Sequence, residues 1–407
     1  MRLALLADAF PPLRSSAAVQ MRDLALEFNR LGHLVTVIVP DYELAGPWRL
    51  DDLCGVRVLR LRCPRTKDIG YGRRAIAEAL MPLRMVRALR LSPLAAEAWD
   101  GVVWYSPSIF LGGVAHWLKR ASKCRAYLIL RDIFPEWALE MGLLREGLAC
   151  SFLRAVANYQ YSVADVIGIQ TEGNHDYVSR WHRPPSRSVE VLRNWLAPAA
   201  IAGCSIRLDG TPLRGRTIFV YAGNMGVAQG VDILLALAAK FQDRPELGFL
   251  FVGRGSATGD LKRRAEQLKL GNVVFFDEID PSEVPGLYAQ CHVGLVSLDP
   301  RHRTHNIPGK FLSYMQAGLP VLACINAGND LLALILDNRV GKGVTDHSIE
   351  SLSSQAYALV EEMRADPQIG ERCRGVARML FSSVAAAEQI AAALRPRPQL
   401  IQGAPLV

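Results

Sequence analysis

Residues 304–330, THNIPGKFLSYMQAGLPVLACINAGND, hold the pattern around which the rest of the chain is organised. A polar loop precedes Lys310–Ala317, which predicts two helical turns. Gly318 ends that helix, and residues 319–323 are apolar enough for a short buried strand. A helix that follows such a loop offers free backbone N–H groups and the positive end of its dipole, which together suit a phosphate. Taken alone, the stretch fits an ordinary loop–helix–strand joint equally well.

Length and composition indicate a large cytoplasmic protein. A chain of 407 residues predicts two domains of about 200 residues each. Half of the residues are apolar and 21% are charged, which excludes disorder except at the ends. Eight cysteines without a C-x-x-C pair indicate reduced thiols and no metal site. The first eight residues do not resemble a signal peptide, and no window approaches a membrane span.

The first domain is predicted to begin with a strand–helix–strand unit. Residues 3–7 and 34–39 are continuously apolar, as parallel strands covered on both faces should be, and an amphipathic helix separates them. The small-residue loop containing Arg14, Ser15 and Ser16 follows the first strand, where doubly wound sheets bind ligands. The loop contains no G-x-G-x-x-G pattern, which argues against a nicotinamide or flavin dinucleotide.

A second cluster of polar residues follows a later strand of the same domain. Residues 101–105 and 126–130 are predicted strands, and the second of them leads into Arg131, Asp132 and Glu136. Two acids and an arginine at the ligand edge of a sheet are a candidate site. The alternative is a capped loop that leads into the next helix.

A second α/β series is predicted from residue 217 onward. The apolar strands 217–222 and 247–252 each run into a glycine turn, 223–230 and 253–255, so each turn is a candidate phosphate cradle. Arg254 lies in the second turn and can add a charge-assisted contact. Residues 182–214 contain the expected linker, and residues 348–364 and 367–394 are predicted to be helical.

The basic charge is concentrated in the first half of the chain. Residues 1–200 contain 26 Lys and Arg against 19 Asp and Glu, whereas residues 201–407 contain 21 against 20. This excess favours an anionic partner, which could be a membrane, a phosphate-bearing lipid or nucleic acid. Residues 71–92 place arginines beside apolar residues as an interfacial helix would. A surface helix with solvated arginines fits the same pattern.

Two Rossmann-like domains with glycine turns in the second resemble a GT-B glycosyltransferase. Residues 30–40, 221–230, 252–255 and 304–330 resemble the motifs of glycosyltransferase family 4, and the resemblance runs over nearly the whole chain. Residues 131–136, 221–230 and 305–311 are similar to the branch that builds bacterial surface polysaccharides. Within that branch, the sequence resembles the L-fucosamine transferases of O-antigen synthesis.

The resemblance implies an α/β fold of the GT-B type, in which two Rossmann-like doubly wound domains face each other across a cleft. The expected divisions are an acceptor domain (1–195), a linker (196–215), a nucleotide-sugar-binding domain (216–375), a C-terminal helix that packs back toward the first domain (376–394) and a tail (395–407).

The resemblance also implies roles for individual residues. The implied catalytic residues are Asp132, Glu136 and His305. The implied donor-binding residues are Gly223, Asn224, Gly226, Gln229, Gly253, Arg254, Glu278, Asn306, Pro308, Gly309, Lys310 and Ser313. An acceptor or phosphate loop is implied for Arg14, Ser15, Ser16 and Arg131.

The sequence departs from the family in two places. His305 and Ser313 occupy the positions of two glutamates that normally meet the donor sugar and the ribose hydroxyls. Ala228 and Gln229 lie in the region of an arginine and a lysine that normally hold the diphosphate. Lys310 and Arg254 are the nearest cations, so we assign the diphosphate to them and to backbone N–H groups.

The implied reaction is a metal-independent, retaining transfer without a cofactor. The donor would be a UDP-sugar such as UDP-N-acetyl-L-fucosamine, and the acceptor a polyprenyl-diphosphate-linked saccharide. The protein would be cytoplasmic, in peripheral contact with the anionic inner face of the plasma membrane, and would not bind nucleic acid. Two alternatives remain open, namely a UDP-sugar 2-epimerase of the same fold and a non-catalytic sugar-nucleotide-binding subunit.

Overall fold

The computed structural model describes residues 1–13, 15–66, 69–106, 108–181, 187–198, 203–226, 229–301 and 307–395. Within these residues the chain forms two β-sheets, each covered by helices on both faces. The first sheet contains strands from residues 2–191 and the second contains strands from residues 217–344.

The first sheet has the strand order β3-β4-β2-β1-β5-β6-β7-β8 among the described residues. Its strands are β1 (Arg2–Leu6), β2 (Leu34–Asp41), β3 (Trp48–Leu53), β4 (Val56–Arg62), β5 (Gly101–Ser106), β6 (Arg125–Leu130), β7 (Val166–Ile169) and β8 (Ser188–Val191). Among the described strand pairs of this sheet, only that of the edge strand β3 with β4 is antiparallel. Burial on both faces explains the continuous apolar runs of β1 and β5.

The helices of the first domain are α1 (Ser16–Arg30), α2 (Tyr71–Arg90), α3 (Leu111–Ser122), α4 (Glu136–Glu140), α5 (Leu148–Val163) and α6 (His175–Val178). Helix α1 begins at Ser16 because the hydroxyl of Ser15 accepts a hydrogen bond from the N–H of Ala18 at 3.3 Å. Helix α1 packs on one face of the sheet, and α2, α3 and α5 pack on the other.

The second sheet has the order β11-β10-β9-β12-β13-β14, and all of its described pairs are parallel. Its strands are β9 (Thr217–Ala222), β10 (Leu247–Val252), β11 (Val273–Phe276), β12 (Val293–Ser297), β13 (Val321–Cys324) and β14 (Gly341–Val344). Its order reverses between β9 and β12, which is where sheets of this type open a crevice for a ligand.

The helices that follow are α7 (Asp232–Lys240), α8 (Thr258–Gln267), α9 (Val284–Tyr288), α10 (Gly309–Ala317), α11 (Asp330–Asp337), α12 (Ile349–Ala365), α13 (Ile369–Leu380) and α14 (Ser383–Leu394). Helix α10 begins one residue before the predicted start at Lys310 and ends at Gly318, whose φ is +81°.

The helix predicted over residues 367–394 is interrupted at Phe381 and Ser382. The N–H of Leu196 donates to the carbonyl of Phe381 at 3.1 Å, and Leu196 forms a parallel bridge with Ser382. Helix α13 therefore stays with the second domain, where it packs against α10. Helix α14 crosses to the first domain, where it packs against α1 and β6, so the crossing helix begins at Ser383 rather than at residue 376.

The two domains touch through residues that follow the carboxyl ends of their strands. The side chain of Gln170, after β7, donates to the carbonyl of Ile307 at 2.8 Å, and the N–H of Gly173 donates to a carboxylate oxygen of Asp330 at 2.8 Å. These contacts place the ligand edges of the two sheets opposite each other, and the predicted GT-B architecture is confirmed. Each described helix is too short or too polar to cross a bilayer.

Candidate active site

The first domain contributes a carboxylate cluster at the ends of three adjacent strands. Asp8 follows β1, Tyr105 is the last residue but one of β5, and Asp132 follows β6, and these strands neighbour one another in the sheet. Solvent reaches Asp132, yet the surrounding protein desolvates its carboxylate strongly. This desolvation and the nearby carboxylate of Asp8 raise the pKa of Asp132 to about 6. Asp132 is therefore mostly ionised at neutral pH and more basic than an ordinary aspartate.

Arg131 lies beneath this cluster rather than on its surface. Its side chain donates to the carbonyls of Leu130 at 3.1 Å and Arg193 at 3.4 Å, and its guanidinium lies 5.3 Å from the ring centroid of Trp195. Burial lowers the pKa of Arg131 to about 10, so it remains charged at neutral pH. The residue is 6% exposed. Its positive charge acts on Asp132 from within the protein.

Glu136, the other predicted proton acceptor, has a different environment. It begins α4, and one of its carboxylate oxygens lies 3.4 Å from the guanidinium of Arg154. Arg154 is bound more closely by Glu146, at 2.9 Å. Glu136 is paired with a cation, whereas the carboxylate of Asp132 is repelled by that of Asp8. Asp132 is therefore the better candidate for a general base.

Lys310 lies on the first turn of α10 and is the cation nearest to the glycine turn after β9 among the predicted donor residues. Its Nζ donates to the hydroxyl of Tyr221 at 2.9 Å and to the side-chain oxygen of Gln229 at 3.0 Å, and it lies 4.1 Å from the ring centroid of Tyr221. Neither partner carries a negative charge at neutral pH. Desolvation therefore lowers the pKa of Lys310 to about 7. An anion bound here would supply the missing counter-charge.

Two glycine turns pack backbone against backbone beside Lys310. Gly253 has φ +136°, and a Cβ on it would lie 2.1 Å from the carbonyl oxygen of Gly223. A Cβ on Gly255 would lie 2.3 Å from the backbone of Met225, whose N–H donates to the carbonyl of Arg254 at 2.8 Å. Side chains are excluded from this contact, so backbone groups of both turns can approach a ligand closely.

The remaining predicted donor residues surround these turns. Arg254 and Glu278 form an ion pair at 2.8 Å after β10 and β11, and the Arg254 side chain is 82% exposed. Asn224 accepts a hydrogen bond from the hydroxyl of Tyr221 at its backbone carbonyl, at 2.7 Å. Gly226 packs on the side chain of Asn224, since a Cβ on Gly226 would lie 3.0 Å from Asn224 Nδ2.

The first turn of α10 meets the first turn of α1 across the cleft. A Cβ on Gly309 would lie 3.9 Å from the hydroxyl oxygen of Ser16. Neither helix has an acidic residue in its first turn. The positive dipole end of each helix is therefore not neutralised by a carboxylate of that turn. Pro308 precedes α10 without capping it, and Ser313 is engaged one turn later with the carbonyl of Gly309 at 3.4 Å.

The described residues thus bring Gly223, Gln229 and Lys310 into one group and place Asp132 on the facing domain. The predicted residues Arg14, His305 and Asn306 lie outside the described residues. Sequence reasoning missed Asp8 and Tyr221 as site residues. The position of Asp8 directly after an apolar strand was a usable signal, whereas Tyr221 is part of the apolar pattern of β9 and gave none.

Two protein-family models match separate parts of the chain. The model described as "Glycosyl transferase 4-like domain" matches residues 16–195, and the model described as "Glycosyl transferases group 1" matches residues 216–362. These ranges correspond to the two sheets of the structure.

Individual proteins show the same similarity. The probable glycosyltransferase WbjE of Pseudomonas aeruginosa is 24% identical over 69% of this chain and 70% of its own length. The Anabaena protein HepE, solved with UDP and glucose, is similar with a TM-score of 0.67 and 16% identity over 96% of this chain and 99% of that one. The structure of WaaG, a glycosyltransferase involved in lipopolysaccharide biosynthesis, has a TM-score of 0.62 and 16% identity over 97% and 100%.

Proposed function

We propose that this chain transfers a sugar from a UDP-sugar to a lipid-linked saccharide in bacterial surface-polysaccharide synthesis. Its two domains match the models of the 4-like and group 1 glycosyltransferase domains, and its fold is GT-B. The observation that carries the proposal is the desolvated Lys310, which has no acidic partner among the described residues and lies beside two glycine turns at the switch point of the second sheet. The UDP complex of HepE and the stated role of WaaG support the donor and the pathway.

Lys310 would stabilise the leaving group of the reaction. Breaking the bond between the anomeric carbon and the phosphate leaves negative charge on the β-phosphate, so catalysis requires positive groups and N–H donors there. Lys310 and the free N–H groups at the start of α10 meet that requirement, and the start of α1 adds a second dipole from the facing domain. Arg254 would reach the diphosphate by exchanging its contact with Glu278.

Asp132 would accept the proton of the attacking hydroxyl. Its pKa of about 6 keeps it ionised at neutral pH while making it a stronger base than an ordinary aspartate. His305 and Asn306 would meet the donor sugar, and Ser313 the ribose. We propose retention of configuration and independence from metal, so EDTA should leave activity unchanged. The donor sugar that the motifs favour is an N-acetyl-deoxyhexosamine such as N-acetyl-L-fucosamine.

Lys310→Ala tests the donor site. Removing the cation should raise the Michaelis constant for the UDP-sugar and lower turnover, by about tenfold or more in kcat/KM, because the lost contact is charge-assisted. The matched control is Lys240→Ala, an exposed lysine in α7 of the same domain, which should behave as wild type. Unchanged kinetics in Lys310→Ala would disprove the assignment. Conversion of UDP-sugar without an acceptor would identify an epimerase instead.

The acceptor lipid requires contact with a membrane, and α2 supplies a suitable surface. Ile76, Leu80 and Leu83 are 64%, 41% and 70% exposed and lie on one side of the helix at spacings of four and three residues. Arg84 and Arg87 are exposed on the same helix. We propose that this stripe contacts anionic lipid, with the apolar side chains inserted and the arginines at the headgroups.

Leu83→Glu tests this surface by vesicle flotation at low salt. The variant should bind vesicles containing anionic lipid more weakly than wild type, because it removes an inserted side chain and adds a repelled charge. Leu268→Glu, at a residue 51% exposed beyond α8 in the second domain, is the control and should bind normally. Equal binding by both variants would exclude α2 as the contact surface.

A further inference from the structure

One backbone carbonyl of the second domain is held by two side chains of the first. The carbonyl oxygen of Ile307 accepts a hydrogen bond from Gln170 Nε2 at 2.8 Å and from Asn194 Nδ2 at 3.4 Å. Gln170 follows β7 and Asn194 follows β8, so both donors come from the carboxyl edge of the first sheet. All three residues are buried, with exposures of 2%, 8% and 2% for Gln170, Asn194 and Ile307.

The position of Ile307 in the chain gives this contact its importance. It lies directly before Pro308, and α10 begins at Gly309. The orientation of the first turn of α10, which carries the free N–H groups and Lys310, is therefore constrained from the facing domain. The side chain of Ile307 packs in the core of the second domain, so the residue is held from both sides.

A second contact joins the segment after β7 to the second domain. The N–H of Gly173, three residues after Gln170, donates to Asp330 Oδ2 at 2.8 Å, at the start of α11. Because two separate points are joined, the segment after β7 is fixed in direction as well as in position relative to the second domain. A single hydrogen bond would leave rotation about it free.

We propose that Gln170 is a positioning residue for donor binding: from the acceptor domain, it holds the Ile307 carbonyl so that the first turn of α10 is oriented for the diphosphate. The inference rests on the proposed function, since it assigns the first turn of α10 to the donor. It makes the donor site a property of both domains, although the residues proposed to touch the nucleotide lie in the second. Asn194 donates to the same oxygen and is the weaker partner, because its hydrogen bond is longer.

The test compares Gln170→Leu with Gln389→Leu in the full-length protein. Leucine keeps most of the buried volume and removes the amide donor. Gln389 is the matched control, because its amide also bonds a backbone carbonyl of the first domain, that of Val191 at 3.0 Å, but from α14. We expect the Michaelis constant for the UDP-sugar to rise about tenfold in Gln170→Leu and that for the acceptor to stay unchanged. Gln389→Leu should leave both constants unchanged.

Amide hydrogen exchange provides a readout that does not depend on activity. The readout is the amide of Phe311, which donates to the carbonyl of Pro308 at 3.0 Å and is therefore protected. In Gln170→Leu this amide should exchange faster than in wild type, whereas in Gln389→Leu it should not. An unchanged exchange rate at the Phe311 amide in Gln170→Leu would overturn the positioning role. The two proposals can fail separately. If exchange is faster in Gln170→Leu but the wild-type protein neither binds nor turns over any UDP-sugar, the positioning role stands and the proposed function is refuted.

Discussion

At the scale of single residues, the pKa of Asp132 is raised toward neutrality and the pKa of Lys310 is lowered toward it. Desolvation by the surrounding protein raises the pKa of Asp132 to about 6, helped by Asp8, and desolvation lowers that of Lys310 to about 7. In the proposed reaction the base must be ionised and the lysine protonated. We therefore expect kcat/KM to fall below about pH 6 and above about pH 7, since this parameter reports groups of the free enzyme.

The alkaline side of this profile can be assigned by substitution. An arginine stays protonated throughout the range, so Lys310→Arg should extend the high-pH side of kcat/KM upward while leaving the low-pH side at about 6. In wild type the profile of kcat should also extend to higher pH, because a bound diphosphate favours the protonated lysine. A Lys310→Arg variant that keeps the alkaline fall near pH 7 would show that another group is responsible.

The same residues show the limit of sequence reasoning about the site. Lys310, Gly223 and Gln229 could be placed in one site because each lies in a loop or first turn after an apolar strand, and such positions gather at one edge of a parallel sheet. Asp132 could be proposed for the same reason. Its advantage over Glu136 could not, because that advantage depends on Asp8, which lies 124 positions earlier in the chain, and on the pairing of Glu136 with Arg154.

At the scale of elements, the glycine turns after β9 and β10 are expected to tolerate no side chain at Gly253. An alanine there would combine a φ of +136° with a Cβ 2.1 Å from the carbonyl oxygen of Gly223, so the two turns would have to separate. We expect Gly253→Ala to lower the free energy of unfolding by about 2–4 kcal/mol and to weaken UDP binding. Chemical denaturation and a binding titration measure the two effects.

Gly259 provides the control for this prediction. It lies in α8, and a Cβ on it would meet nothing within 4 Å. Gly259→Ala should therefore stabilise the protein by about 0.5–1 kcal/mol through its higher helix propensity. If Gly253→Ala were as stable as Gly259→Ala, the close approach of the two turns would not exist in solution.

Two of the strands that the sequence did not predict share a physical cause. In edge strand β3 two consecutive aspartates break the alternation of apolar and charged residues within a mostly exposed segment, and β14 is only four residues long and contains two glycines. Both are held by backbone pairing to a neighbouring strand, which leaves little mark on side-chain pattern. The break at Phe381 and Ser382 is similar, since it depends on a hydrogen bond from Leu196.

At the scale of the whole molecule, the last helix of the chain completes the core of the first domain. Ile390 and Leu394 of α14 are 0% and 1% exposed and belong to the same cluster as Trp195 and the apolar residues of α1. The first domain is therefore continuous in space but not in sequence. Its stability should depend on residues that lie almost 200 positions beyond its last strand.

Tryptophan fluorescence can measure this dependence, because all seven tryptophans lie within residues 48–195 and report on the first domain alone. We expect Ile390→Ala to lower the stability seen by fluorescence by about 2–5 kcal/mol, the cost of a cavity in a packed core. Met379→Ala, at a residue of α13 that is 68% exposed, should shift the same transition by less than about 0.5 kcal/mol. If Ile390→Ala left the fluorescence transition unchanged, α14 would add no stability to the first domain. The first domain would then fold from its own continuous stretch of sequence.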